Sequence, residues 1–233
     1  MGLDMYLSAD RKLKEGNALL TKVQDIAGRY DTQFKDEYKE HERRRPDFSA
    51  WDTLTYRGYE KQEMYVSGWA HERNSWKRDI FHEILDTLSM RTCLHPRKPR
   101  WPEQQPYPSE CNSIVISKPW HGCQHWNVSV NIGYWRKASA VHGWFVEHVQ
   151  DGEDDCANYS VSIEQLYDLR NQVEMSLEGD SKLRPVDGFF FGPTNDDEWY
   201  NMYMRKTITL VNSAIDMYYR NHDELDIHYH SSW

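Results

Sequence analysis

The chain has 233 residues, enough for one large domain or two small ones, and only 39% of them are hydrophobic. It carries 10 Trp, 15 Tyr and 7 Phe, a supply of large rings that can build a core and that a disordered chain would lack. The net charge of −9 argues against non-specific binding to nucleic acid, which needs a clustered cationic surface, and no apolar run reaches the roughly 18 residues of a membrane span.

Residues 2–7 are short and apolar and predict a strand. Residues 10–45 predict a charged helix, with Leu19, Val23, Ile26, Tyr30 and Phe34 forming one apolar stripe at three- and four-residue steps. "HERRRPDF" should end it, because Pro46 disfavours helix at the residue before it. A Trp/Tyr-rich connector over 47–66 leads to a second helix near 68–90, with Trp69, Trp76, Ile80, Ile84 and Leu88 inward. The five prolines of "HPRKPRWPEQQPYPSE" (95–110) make that stretch a semi-extended loop.

Two strands follow, 112–117 and 125–135. In the second, Trp126, Val128, Val130 and Ile132 alternate with Asn127, Ser129 and Asn131, the period of a half-buried strand. The connector "KPWHGCQ" predicts a hairpin. Helices are expected at 137–149, stopped by Asp151-Gly152, and at 162–177, with Ser162 as N-cap. "VDGFFFGP" predicts a short strand. A final helix runs from Asn195 to about Tyr219, where Asn195 and Glu198 have capping-box spacing. Residues 221–233 are expected to be a loose tail.

This order predicts an α+β fold: a small, largely antiparallel sheet packed with several helices. Residues 1–7 and 111–220 would form the core domain. Residues 8–110 would be a mostly helical, aromatic-rich insertion.

Five groups of residues carry candidate chemistry. Arg136 and Lys137 stand where strand hands over to helix, and helix N-termini bind phosphates and carboxylates. Arg136 could add a bidentate fork and Trp135 a stacking face; the alternative is a core tryptophan beside two solvated cations. His142 falls on the apolar face of the same helix with Ala138, Phe145 and Val149. It is either a satisfied core group or the floor of a pocket, where it could serve acid–base work. Phe189 and Phe191 share one strand face and Phe190 takes the other, so one side can wall a ring-sized pocket with Trp199 and Tyr200 nearby. The alternative is sheet core beside a capped helix. Asp151, Asp154 and Asp155 offer carboxylates without EF-hand spacing. Cys93, His95, Cys111, His121, Cys123 and His125 lack standard zinc spacing, so no metal is assigned. The motifs of phosphate-binding loops, dinucleotide folds, kinases, HExxH metalloproteases and serine hydrolases are missing, and no cofactor is expected.

The segments "MGLDMYL", "GYWRKASAVHGWFVEHVQDGEDDC" and "GFFFGPTNDDEWY" resemble, in the same order, a family of small proteins from phages, prophages and bacteria. The resemblance covers residues 1–7 and about 130–219; typical family members are shorter, without most of 8–125. It implies no settled activity. It does imply a phage setting, and with it a host-takeover or counter-defence role in the cytoplasm of an infected cell. "MGLDMYLSADRK" has neither a signal-peptide core nor a myristoylation signal.

The resulting expectation is a binding protein. Trp135, Arg136, Lys137, His142, Phe189, Phe190, Phe191, Trp199 and Tyr200 would enclose a small anionic nucleotide-like ligand and sequester it. The alternatives are a nucleotide- or nucleic-acid-processing enzyme using His142 with Arg136 and Lys137, and a protein-binding inhibitor. A homo-oligomer is compatible with each.

Overall fold

Alternating burial builds most of this molecule. The computed structural model describes residues 2–37, 39, 49–56, 59–67, 75–91, 113–118, 124–186, 197–221 and 224–233. The fold is α+β. Its strands are β1 (Asp4–Lys14), β2 (Trp51–Tyr56), β3 (Tyr59–Ser67), β4 (Ser113–Lys118), β5 (His125–Arg136), β6 (Asn158–Ser160) and β7 (Leu225–Ser232). They follow the order β2-β3-β4-β5-β1-β7-β6, and the pairs β2/β3, β3/β4, β4/β5 and β6/β7 are antiparallel. The helices are α1 (Ala18–Glu37), α2 (Ser75–Thr87), α3 (Ser139–His148), α4 (Ile163–Glu178) and α5 (Asp197–Arg220). No helix among the described residues is long and apolar enough to cross a membrane.

The chain divides into two units. One draws on Met1–Ala9 and Asn131–Trp233, the other on Asp10–Arg91 and Asn112–Val130. This differs from the expected division, because β4 and the first half of β5 group with the supposed insertion. Among its described residues that insertion holds strands as well as helices. The expected connector over 47–66 contains β2 and β3, closed by the pair Tyr56↔Tyr59. Its Thr, Tyr and Val content suits a pleated sheet, and Met64 and Val66 are buried on either side of the exposed Tyr65.

β1 runs to Lys14, seven residues past the expected strand end. Period-two burial continues through Leu7, Ala9 and Leu13, although charged residues stand between them. Arg11 donates to the Leu88 carbonyl at 2.8 Å, giving that charged residue a partner within its unit. The first helix therefore begins at Ala18, after a turn with Gly16 at φ +82°, and the Asn17 side chain accepts from the Leu19 N–H at 2.7 Å. Its expected end at Pro46 lies outside the described residues, as do the proline-rich loop, the 119–123 connector, the "GFFFG" strand and the Asn195 cap.

The supposed loose tail is β7. Leu225, Ile227, Tyr229 and Ser231 are buried, and Asp226, His228 and His230 alternate with them. Interleaved polar residues lowered the average hydropathy of the segment; the period of two was the informative signal. α4 begins as expected, with Ser162 and Gln165 forming a reciprocal capping box.

Candidate functional site

Cover on the second face of β5 decides where Trp135 points. Trp126, Val128, Val130 and Ile132 are buried in alternation, and Gly133 and Trp135, one step out of that alternation, are buried as well. A Cβ on Gly133 would stand 2.4 Å from Leu210 Cδ1, which shows how closely α5 approaches this backbone. As a result Trp135 is fully buried, its indole N–H donates to Thr207 Oγ1 at 3.0 Å, and its edge packs on Phe145. Trp135 is core, which overturns its expected ligand-stacking role.

Arg136 and Lys137 remain outside. The Arg136 side chain is 59% exposed, with Asp4 Oδ1 3.9 Å from its Nε. Lys137 is exposed and takes φ +59°, so the helix starts only at Ser139. The Tyr203 hydroxyl donates to the Arg136 carbonyl, and Trp199, one turn earlier on α5, is 48% exposed beside Tyr203. Tyr200 is separate, donating to the Leu183 carbonyl beneath Lys182. Phe189, Phe190 and Phe191 lie outside the described residues.

Between Gly133 and Trp135 on β5, the Tyr134 hydroxyl donates to Asp4 Oδ1 and its ring packs on Tyr6. Burial, then the hydrogen bond and charge of Asp4, hold the Tyr134 phenol well above its usual range.

His142 is fully buried. Its Nδ1 lies 2.8 Å from the Tyr229 hydroxyl and its Nε2 3.0 Å from Asp154 Oδ2. The local chain reversal explains this second contact. After α3, Asp151 and Gly152 both take positive φ, and the Gly152 N–H bonds the Val146 carbonyl at 2.8 Å. That turn returns Asp154 to the helix it has just left. Trp233 donates its indole N–H to the other Asp154 oxygen at 3.1 Å. Both carboxylate oxygens are thus held, and β7 is tied to the loop from two directions. Asp155 has a local task, accepting from the Ala157 N–H and the Tyr159 hydroxyl. Among the described residues no group of three metal-ligating side chains converges.

A hollow of about 460 Å³ lies beside this cluster, bordered by His142, Gly143, Val146, Glu147, Asp151, Gly152, Asp154 and Val186. Val186 packs closely on α3 there, since a Cβ on Gly143 would stand 2.4 Å from Val186 Cγ2. The walls bring three carboxylates and the His142 ring to an apolar floor, and no Arg or Lys is among these lining residues. An enclosed, positively polarised pocket of Trp135, Arg136, Lys137 and His142 is therefore overturned: the hollow is acidic and the cations stand elsewhere. Trp233 was the residue missed, and the only available signal was a period of two in 225–231 that carries Trp233 toward the same loop.

The two high phenol pKa values give a pH prediction. Burial, partly opposed by the Ser231 hydroxyl, also pushes Tyr229 well above its ordinary value. A raised tyrosine keeps its proton in the fold after the unfolded chain has lost it, at about pH 10. Stability should be unaffected by these groups below about pH 10 and fall as pH rises above it. Denaturant melts from pH 8 upward should show that slope, and Tyr134→Phe should reduce it. An unchanged slope in the variant would refute the assignment.

No family model, curated protein or solved structure matches this chain.

Proposed function

We propose that the chain is a small-ligand-binding protein whose ligand occupies the hollow beside α3. The observation that carries this reading is the Asp154 carboxylate, held at the rim of the hollow by His142 and Trp233. The volume falls within the roughly 300–1,000 Å³ of small-molecule sites. Carboxylates accept hydrogen bonds and attract positive charge, so the favoured ligand presents an amine or guanidinium there and lays its apolar part on Val146 and Val186. Phosphates would meet like charge. His142 is buried, with its ring nitrogens facing Tyr229 and Asp154.

A second reading keeps the anionic ligand and moves it to the exterior. Arg136 and Lys137 stand near the exposed Trp199, and the Tyr203–Arg136 hydrogen bond links the two elements that carry them. Cation plus indole suits phosphate plus base. The resemblance to phage proteins supports capture of a host nucleotide signal as its use.

Thermal-shift measurements with putrescine, agmatine, nucleosides and nucleotides separate the readings. An amine at 100 times its Kd adds about 2.7 kcal/mol, raising Tm by roughly 5–10 °C. Asp154→Asn should abolish that shift. If nucleotides alone stabilise, and Arg136→Ala with Lys137→Ala removes the effect, the hollow is not the site.

A further inference from the structure

The carboxylates that line the hollow beside α3 are not equivalent. Glu147, on the last turn of α3, and Asp151, in the turn that follows, are both exposed. An ion pair with an exposed carboxylate is worth little, because water screens it and competes for the same oxygens. The Asp154 side chain is only 25% exposed, and His142 and Trp233 hold its two oxygens in place. A carboxylate that is fixed and partly withdrawn from water attracts a cation more strongly, and each of its oxygens keeps a second lone pair to offer. The hollow therefore has one strong seat for positive charge.

The remaining wall has the opposite character. Val186, from the chain after α4, lies against α3 where Gly143 carries no side chain: its Cγ2 is 2.4 Å from where a Cβ would stand, and the Arg184 carbonyl is 3.6 Å from the same point. The segment that carries Val186 is fastened just upstream. The Leu183 N–H donates to Ser176 Oγ at 3.2 Å, and the Leu183 carbonyl accepts from the Tyr200 hydroxyl at 3.2 Å. Val186 is nevertheless 38% exposed, and Val146 adds to the apolar lining from α3. An alkyl or aryl group laid on these two valines withdraws apolar surface from water on both sides. A second ammonium placed there would lose water and gain no acceptor.

We propose that the hollow takes a primary monoamine with a short apolar tail in preference to a diamine or polyamine, and that Val186 sets this choice. The ammonium sits on Asp154 and the tail covers Val146 and Val186. This inference rests on the hollow as a cation site and adds which class of cation it selects.

n-Pentylamine and putrescine test it, because they are unbranched chains of equal length that differ only in a terminal methyl against a terminal ammonium. Calorimetric titration of the full chain should give pentylamine a Kd roughly tenfold lower than that of putrescine. Val186→Glu supplies an acceptor at the apolar end and should reverse the order. Val186→Ala, a smaller change at the same position, should weaken pentylamine and leave putrescine where it was. Glu147→Gln and Asp151→Asn should each shift either Kd by less than about threefold, whereas Asp154→Asn should abolish both. Putrescine binding the wild-type chain as tightly as pentylamine would overturn the inference and leave the hollow as a cation site. So would a pentylamine Kd indifferent to both substitutions of Val186. If neither amine binds, the cation-site reading fails and this inference fails with it.

Discussion

Trp135→Ala is expected to be among the most damaging single substitutions in the chain, at about 3–5 kcal/mol, because a fully buried indole leaves a large cavity. For a chain of this length that corresponds to a Tm lower by roughly 6–20 °C. The loss combines three contacts. The indole fills space against Phe145, its N–H satisfies Thr207 Oγ1, and Thr207 in turn donates to the Tyr203 carbonyl. Trp135→Phe keeps most of the volume and removes the hydrogen bond alone, so its cost should be nearer 1 kcal/mol. Neither substitution should alter ligand affinity in protein that remains folded. A Trp135→Phe variant with normal Tm and lost binding would return this residue to the site and contradict its placement in the core.

His142→Ala is expected to cost about 3 kcal/mol, from the buried volume lost and from the partners left behind. Tm should fall by roughly 6–12 °C. The imidazole is the joint between two elements. Without it, the Tyr229 hydroxyl loses its 2.8 Å partner, and Asp154 is left with the Trp233 indole. The loop over 150–156 should then loosen, and amide exchange there should accelerate more than in α4, whose capping box and partner helix are untouched. His142→Asn can replace one of the two hydrogen bonds at most, so it should fall between wild type and alanine. Equal protection of the loop in wild type and His142→Ala would show that Asp154 is held by something other than this joint.

Both expectations depend on where the segment 131–156 points, which local pattern leaves open. The helix at 139–148, its stop at Asp151-Gly152 and the Ser162 cap follow from nearest neighbours: spacing of apolar residues, a positive-φ turn and a side chain that caps its own helix. The α+β class follows in the same way, because period two and period 3.6 are local properties. The strands β3 and β7 carried the period as well, but charged and polar residues between the inward positions hid it from a reading based on hydropathy.

The site was legible only in part. The sequence singled out His142 and the acidic loop, and it grouped Arg136 and Lys137 at a strand–helix junction, all from spacing within one stretch. It left Trp135 open between a stacking face and the core, because alternation within one strand does not say that α5 covers this end of β5. It could not bring Tyr229 and Trp233 to His142 and Asp154, separated by 87 and 79 residues. Nothing local encodes such pairings; they exist because β7 joins the sheet. Composition and periodicity determined that this chain makes an aromatic-cored α+β protein. Only tertiary packing decided that its central hollow is walled by carboxylates and not by cations, because charge at a site is set by which distant side chains converge there.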